Sequence, residues 1–416
     1  MSAENDNDKP MLASLVQAGE GQSAPELIND FIYMVKDISN AYLVKTDAGD
    51  VLVNTGFMGS TERNKALFDL VRSGPLHSII VTQAHPDHYG GVPVLKEPET
   101  QVIAERRFTD TCNFFKQLQP HVKRRSGKLW SGTIKRRDTS VPEVEPDITV
   151  DRHYSFEVGG RRFEVISTPG GEALDSLVVW MPQERVVFTG NLFGPVFMSI
   201  PNLCTIRGDK PRSVQRFLSS LDKVRELDAE LLITGHGDPI RGATKIRADL
   251  DKLHAAVSYV KDATIEGMNA GKDVHTLMRE IRLPDSLMLG EYHGKVSWAV
   301  KTIWEEFSGW FHFDSTTSLY AVPRSSIDAD LVELAGGPSA LVAQAQKRLG
   351  NDQPLEALHL LDIALGNTPT QADALTVKKK TLQLLLSESG GTNLSEVMWL
   401  KSEIAATEAL IKGEAG

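Results

Sequence analysis

Two histidines and an aspartate stand within four residues of each other, directly after an apolar run that is typical of a buried strand. The run HSIIV is followed by residues 82–91, TQAHPDHYGG, which contain His85, Asp87 and His88. Neutral imidazole and carboxylate groups are ligands that zinc or ferrous iron accepts in proteins. We therefore expect these side chains to converge on one cation. The alternative is that the two histidines only cap the next helix and bond to backbone atoms.

Three later loops also place polar residues directly after an apolar run. Residues 168–172 (TPGGE) follow RRFEVIS, residues 189–191 (TGN) follow RVVF, and residues 234–237 (TGHG) follow AELLI. Loops at the strand ends of a layered α/β domain commonly build the functional site. The candidates that these loops add are Glu172, Asn191 and His236.

The elements that must position these residues form an α/β domain followed by helices. Short β-branched and aromatic runs from Phe31 onward alternate with turn signals and with helical stretches such as SVQRFLSSLDKVREL. Residues 1–26 are polar and are expected to form a loose lead-in. We assign residues 27–325 to the catalytic domain, within which 246–325 form a helical and aromatic extension. Residues 326–416 are expected to form an α-helical domain.

The helical domain contains one segment that looks like a tetratricopeptide-type hairpin, around residues 355–384. A single hairpin is short of the three repeats that a free-standing solenoid needs. We therefore expect its apolar face to pack on the main domain or on a second subunit.

Charge and cysteine content exclude several classes of protein. The 416 residues include 45 basic and 55 acidic side chains, for a net charge of −10, which disfavours nucleic-acid binding. Two cysteines, Cys112 and Cys204, are too few for a disulfide-rich scaffold or a four-cysteine zinc module. The start of the sequence lacks the basic and apolar parts of a signal peptide, and no apolar run reaches the roughly 18 residues of a membrane span. We expect a cytoplasmic protein with a small-molecule substrate.

The four loops together resemble the signature of the metallo-β-lactamase fold. That signature is Thr-His-x-His-x-Asp-His, then a ligand after Thr-Pro-Gly, then Thr-Gly-Asp, and a late Gly-His. The resemblance implies an α/β fold of the αββα sandwich type, followed here by the helical C-terminal domain.

Within that superfamily the sequence looks most like the alkyl sulfatases. Residues 168–173 resemble their Thr-Pro-Gly-x-Glu-Ala, and residues 202–208 resemble their Asn-Leu-Tyr-Thr-Leu-Arg-Gly, which supplies sulfate-binding Asn and Arg. Residues 291–297 resemble their Glu-Phe-Tyr-Gly-x-Val-Ser. The resemblance implies dimerisation through the C-terminal helices. The family's final sterol-carrier-like domain is not expected, because the sequence ends at Gly416.

The sequence departs from the family signature at two ligand positions. Gln83 stands at the first His and Asn191 at the bridging acid, and a neutral amide binds zinc poorly. One pocket then retains only His85 and Glu172, whereas the other keeps Asp87, His88 and His236. We predict one divalent transition metal, zinc or iron, at the complete triad. The alternative is a second, weaker metal at Gln83, His85 and Glu172.

The resemblance also suggests roles around the metal. With no metal beside it, His85 is expected to act as a base on water whose pKa the metal lowers, together with the ligand Asp87, and Glu172 would orient His85. Asn202 and Arg207 are expected to bind an anionic group of the substrate. His293 stands where the family has Tyr and is the candidate leaving-group acid, with a structural role as the alternative.

Three functions remain open on the sequence alone. The first is a metal-dependent, alkyl-sulfatase-like hydrolase acting on an anionic or partly apolar ester. The second is a single-metal hydrolase of a lactone, thioester or β-lactam, because one fold hosts many chemistries. The third is a catalytically silent binding or assembly module.

Overall fold

The computed structural model describes residues 11–130, 142–203, 205–209 and 212–414. The chain divides into two compact units, Pro10–Gly309 and Trp310–Gly416. Within the described residues no helix is both long and apolar enough to cross a membrane.

Two β-sheets form the centre of the first unit. The first sheet has seven strands in sequence order, antiparallel from β1 to β4 and parallel from β4 to β7. Its strands are β1 (Glu26–Asn29), β2 (Ile32–Val35), β3 (Ala41–Val44), β4 (Asp50–Val53), β5 (Leu76–Ile80), β6 (Gln101–Glu105) and β7 (Ile148–Val150). The second sheet runs β13-β12-β11-β10-β9-β8, and only its β11–β12 pair is parallel. Its strands are β8 (His153–Val158), β9 (Arg161–Ser167), β10 (Leu177–Met181), β11 (Val186–Gly190), β12 (Leu231–Thr234) and β13 (Ile240–Arg241).

The two sheets pack face to face through an apolar layer to which both contribute. Val51 and Ile80 of the first sheet and Val165, Val179 and Phe188 of the second are all fully buried in it. Burial on both faces explains why β3, β4, β10 and β11 read as continuous apolar runs rather than as alternating ones.

Helices cover the outer face of each sheet. One outer core lies between the first sheet and the early helices, and another lies between the second sheet and the later helices. The helices of this unit are α1 (Met11–Gln17), α2 (Thr61–Asp69), α3 (Pro86–Tyr89), α4 (Val92–Leu95), α5 (Phe108–Gln117), α6 (Gln119–Trp130), α7 (Val214–Arg225), α8 (Ala243–Asn269), α9 (Val274–Glu280) and α10 (Val296–Ser308), with 3₁₀ turns at Met58–Ser60 and Asp285–Leu287. The predicted αββα sandwich, followed by helices, is confirmed.

Two boundaries differ from those expected from the sequence. Within the segment expected to be a loose lead-in, α1 forms a helix with Leu12, Ala13 and Val16 buried. Three buried apolar residues in seven are enough to hold a short helix on a protein surface, although the polar composition around them hides this signal. The first compact unit ends at Gly309, earlier than the expected boundary after residue 325.

The second unit is helical. Its helices are α11 (Asp328–Leu334), α12 (Pro338–Gly350), α13 (Pro354–Asn367), α14 (Ala372–Glu388) and α15 (Leu394–Lys412), preceded by 3₁₀ turns at Thr316–Leu319 and Arg324–Ile327. The predicted hairpin corresponds to α13 and α14, which pack on each other and on α12 around Ala345, Leu361 and Ala374. Leu361 and Leu382, two apolar residues of the hairpin that was expected to pack on the main domain or on a second subunit, are buried within this unit.

Candidate metal centre and its surroundings

The polar loops identified in the sequence meet at one end of the sandwich. Asp87 and His88 lie in α3, just after β5, and His236 follows β12. The end of β11 comes close to the loop after β5 at Gly190, whose φ is +51° and where a Cβ would collide with the Thr82 hydroxyl. Glycine is required there because any other residue would push these two loops apart.

Asp87, His88 and His236 form a group that can hold a metal ion. Their candidate ligand atoms all lie within 4.8 Å of one another. Asp87 Oδ2 is 3.7 Å from His88 Nε2 and 3.9 Å from His236 Nε2. Among the described residues this is the one group of three or more His, Cys, Asp or Glu side chains with such spacing. Nitrogen and carboxylate ligands in this number suit a transition metal with an open position.

Hydrogen bonds around His88 determine which ring nitrogen carries the proton. His88 Nδ1 lies 3.1 Å from Thr82 Oγ1 and 3.3 Å from Ser39 Oγ. The Thr82 hydroxyl donates to Asn54 Oδ1 and the Ser39 hydroxyl donates to the Gly235 carbonyl, so both hydroxyl oxygens can only accept from the ring. The proton therefore sits on Nδ1, and Nε2 keeps its lone pair.

His88 Nε2 is buried and has no hydrogen-bond partner among the described residues. A buried polar atom without a partner costs free energy, which a bound metal would remove. Burial lowers the pKa of His88 to about 3 and that of His236 to about 4. Both rings are therefore neutral at pH 7, as a metal ligand must be. The residues present fit the metal that the sequence predicts at this triad.

The loop that carries His236 is anchored to the first sheet. The Tyr42 hydroxyl donates to the Thr234 carbonyl at 2.8 Å, and the Asn40 backbone N–H donates to the Gly235 carbonyl at 2.7 Å. The Asn40 side chain also donates to the Gly237 carbonyl at 2.9 Å. These bonds hold the ligand loop on both sides of His236, which limits the positions its ring can take.

The second pocket is filled by protein hydrogen bonds. The Gln83 side-chain nitrogen lies 2.6 Å from His85 Nδ1. The Asn191 amide donates to Glu172 Oε2 at 3.0 Å and to His236 Nε2 at 3.1 Å. Because a carboxylate only accepts, the Asn191 nitrogen rather than its oxygen must face Glu172, and an amide nitrogen is no metal ligand. The two departures from the family signature thus occupy lone pairs of His85 and Glu172 that a second metal would need. The contact of Asn191 with His236 Nε2 is one that a metal bound at the triad would replace.

Arg212 supplies positive charge beside Glu172. It is 4% exposed, and its Nη1 lies 3.4 Å from Glu172 Oε1 and donates to the Asn202 carbonyl at 2.6 Å. Burial alone would raise the pKa of Glu172, but the charge of Arg212 and the contact with His293 hold it well below its usual range. Glu172 is therefore a carboxylate whose charge is balanced by the Arg212 guanidinium.

The predicted substrate-binding residues lie beside this pair. The Asn202 amide lies 3.0 Å from His293 Nε2, which in turn lies 3.4 Å from Glu172 Oε1. Burial lowers the pKa of His293. Asn202 Oδ1 and His293 Nδ1 are buried without partners among the described residues, so both have unused hydrogen-bonding capacity.

Asp209 lies closer to His85 than Glu172 does. Asp209 Oδ2 is 3.4 Å from His85 Nε2, whereas Glu172 Oε2 is 4.0 Å from His85 Nδ1. The same Asp209 oxygen lies 3.4 Å from Arg207 Nη2 and 3.3 Å from Arg212 Nη2. Burial by itself would raise the pKa of Asp209, but these donors hold it below its usual range. Glu172 was expected to orient His85, but Asp209 is nearer to His85 and is therefore the better candidate for that role.

Several of these residues were not recognised in the sequence. Asp209 and Arg212 follow Arg207 in the same charged loop, and that proximity was the available signal. Ser39 carries no motif, and Asn54, which stands where many relatives have Asp after an early strand, could be given no role from the sequence. Both roles depend on the His88 ring and the Thr82 hydroxyl, which only the fold brings to them. Cys204, counted in the sequence, lies outside the described residues, as do the basic residues Lys135, Arg136 and Arg137.

The chain matches two family models. Residues 34–236 match the model of the metallo-beta-lactamase superfamily, and residues 274–399 match the model of alkyl sulfatase dimerisation. The chain thus carries a metallo-β-lactamase domain followed by an alkyl sulfatase dimerisation domain.

Curated relatives of this chain include alkyl sulfatases. It is 26% identical over 331 residues to the linear primary-alkylsulfatase of Pseudomonas sp. (strain ATCC 19151), which covers 73% of this chain and 62% of that protein. It is 27% identical over 356 residues to the alkyl/aryl-sulfatase BDS1 of Saccharomyces cerevisiae, covering 77% of this chain and 54% of that protein. The chain thus spans between half and two thirds of the length of these relatives.

A solved structure shares the fold. The stereoselective inverting sec-alkylsulfatase Pisa1 from Pseudomonas sp. superposes with a TM-score of 0.82 at 21% identity, over 94% of this chain and 66% of that one. At this identity the likeness concerns the arrangement of the elements. It extends over both the sandwich and the helices.

Proposed function

We propose that this protein is a metal-dependent hydrolase that cleaves an ester of the alkyl-sulfate type. The observation that carries the proposal is that two sites lie side by side. One is the Asp87–His88–His236 triad, in which His88 Nε2 is buried with its lone pair free, and the other is a cluster of cationic and amide groups next to it. The alkyl sulfatase relatives support this choice among the hydrolytic reactions that the fold hosts.

Asp87, His88 and His236 would hold the metal. When bound, a divalent metal supplies Lewis-acid chemistry and lowers the pKa of water to about 7. Three protein ligands leave room for water or substrate in the coordination shell. The pair of hydroxyls on His88 Nδ1 keeps the other ring nitrogen directed at the metal.

Arg207 and Asn202 would bind the anionic end of the substrate. A guanidinium offers paired N–H donors that match a sulfate. The unused Asn202 oxygen only accepts, so it would take a hydrogen bond from an ordered water, whereas His293 Nδ1 can donate to the ester oxygen when it carries the proton. His293, in contact with Glu172, is placed to hold a proton near the leaving group.

His85 would take a proton from water during the reaction. In the hydrogen-bond pattern observed, its Nε2–H faces Asp209, which leaves Nδ1 as the basic nitrogen. The Gln83 amide now donates to Nδ1, and a reacting water would replace it. Asp209 holds the ring and stabilises its protonated form, as a carboxylate does behind a general-base histidine.

A substrate screen tests the proposed function. The zinc-loaded and the iron-loaded protein are each offered octyl sulfate, octyl acetate, a thioester, a lactone and a β-lactam. We expect hydrolysis of octyl sulfate, and its loss when a chelator removes the metal. Turnover of a carbonyl substrate without turnover of octyl sulfate would replace the sulfatase assignment by another ester hydrolase. Absence of turnover with every substrate, in a protein that binds metal, would favour a silent binding module.

We further propose that the protein is a homodimer that associates through its second unit. The match to alkyl sulfatase dimerisation supports this, and so do large apolar side chains that stay exposed in that unit. Leu334 is 84% exposed, Phe313 90% and Leu355 60%. Apolar groups of this size are usually covered in solution, and two-fold pairing is the commonest assembly.

Introducing charge on this exposed surface is expected to split the dimer. In the full-length protein, Leu334→Arg and Leu355→Arg should each weaken association by roughly tenfold or more, the loss typical of a well-buried interface residue. Asn351→Arg, which adds the same charge at an exposed polar position, is the matched control. Light scattering gives the mass of each variant. A wild-type protein that is already monomeric would contradict the prediction.

A further inference from the structure

The carboxylate of Asp209 sits where two arginines converge. One oxygen, Oδ2, is approached by Arg207 Nη2 at 3.4 Å, by Arg212 Nη2 at 3.3 Å and by His85 Nε2 at 3.4 Å. The Asp209 side chain is only 6% exposed. Three nitrogen donors around one buried oxygen form a cradle that already contains an anion.

The charges of this cluster are balanced before any substrate binds. Arg207 and Arg212 carry two positive charges, and Asp209 and Glu172 carry two negative ones. The guanidinium of Arg212 contacts both Glu172 and Asp209, and the guanidinium of Arg207 contacts Asp209. An anionic headgroup that entered here would have to share or replace the contacts of Asp209, and at such distances two like charges repel each other strongly.

We propose that Asp209 is a specificity-determining residue, an internal anion that competes with the substrate's headgroup for Arg207 and Arg212. It lowers the affinity of the site for sulfate-like groups and so reduces, without abolishing, the preference for alkyl sulfates over esters whose acyl group is uncharged. This inference rests on the proposed location of the substrate in the site, but its main test does not require turnover.

Binding of inorganic sulfate to the metal-loaded, full-length protein tests the proposal. Isothermal titration would compare the wild type with Asp209→Asn, which keeps the shape of the side chain and removes its charge. We expect sulfate to bind Asp209→Asn roughly 10- to 100-fold more tightly, the range of a charge-assisted hydrogen bond gained. Asp209→Glu keeps the charge and should bind sulfate as weakly as the wild type does.

A remote pair provides the matched control. Asp251 also pairs with an arginine, Arg225, at 2.5 Å, but it lies in α8 outside the cluster. Asp251→Asn changes the net charge by the same amount and should leave sulfate affinity unchanged. In a double-mutant cycle, Arg207→Gln should reduce the gain in sulfate affinity, because Arg207 is one of the two arginines for which Asp209 competes.

Two outcomes would overturn the proposal: sulfate affinity of Asp209→Asn within twofold of the wild type, or an equal gain in Asp251→Asn. If loss of the Asp209 charge destabilises the Asp209→Asn variant, sulfate binding can be followed instead through the melting temperature. Sulfate should raise the melting temperature of Asp209→Asn by more than that of the wild type, at an ionic strength matched with chloride. Equal shifts would contradict the inference.

Turnover measurements give a second, independent test of the role of Asp209. The ratio of kcat/KM for octyl sulfate to that for octyl acetate should rise in Asp209→Asn. If neither the wild type nor any variant hydrolyses an ester, the proposed function fails. The sulfate titration still decides the role of Asp209 in that case.

Discussion

Replacing His236 by alanine is expected to remove the bound metal and, with it, the hydrolytic activity. The same result is expected for Asp87→Ala, because each change takes one of three ligands from a buried site. The affinity should fall by more than the roughly 10- to 100-fold that losing an outer-shell partner costs. Elemental analysis of the purified variants measures the metal retained.

The stoichiometry of the wild type belongs to the same prediction. We expect one tightly bound metal per chain. In the second pocket Gln83 and Asn191 donate to the lone pairs that a metal would need, and Arg212 neutralises the charge of Glu172. Gln83→Ala should keep the metal. His254→Ala serves as the histidine control, since His254 pairs with Asp222 away from the site. Two metals at full occupancy in the wild type would contradict this reading of the pocket.

Restoring the family signature tests why the second pocket is disabled. The double variant Gln83→His with Asn191→Asp should raise the metal content toward two. The second metal should remain the weaker one, because the Arg212 guanidinium still competes for Glu172. A metal content that stays at one would assign the loss of the second site to Arg212 or Asp209 rather than to the two amides.

The fold could be predicted largely because its strands are buried on both faces. Continuous apolar runs such as the one before Thr82 identify central strands, and glycine-rich loops mark their ends. The confirmed sandwich follows from these local signals and from the resemblance that they carry. Short elements with few apolar residues, such as α1, were missed because their burial is decided by the surface on which they pack.

The functional site, like the fold, was predictable only where local sequence signals mark it. Asp87, His88, His236 and Glu172 follow strand ends, so sequence order already places them at one edge. The hydroxyl of Ser39 reaches His88 from another loop, and the side-chain oxygen of Asn54 orients the Thr82 hydroxyl that contacts the same ring. Only the folded chain brings these groups together. Asp209 and Arg212 lie next to a segment that the sequence analysis had recognised. Their effect depends on which charged side chains they contact, and sequence spacing alone does not predict those contacts.

Replacing His85 by alanine is expected to reduce kcat by a factor on the order of 10²–10⁴ while leaving the bound metal in place. His85 lies beside the triad, with its ring centroid 6.4 Å from that of His88, but it is not part of the group of ligand atoms. Its nitrogens are engaged by Gln83 and Asp209, which orient the ring without a metal.

The control for this prediction separates a base from a ligand. Metal content and kcat are measured on the same preparations of His85→Ala and His236→Ala. A base loses turnover and keeps the metal, whereas a ligand loses both, as we expect for His236. His85→Gln keeps a hydrogen-bonding side chain but has no basic nitrogen, so it should be as slow as His85→Ala. Recovery of turnover in His85→Gln would show that position and polarity suffice, and metal loss in His85→Ala would assign His85 to the coordination shell.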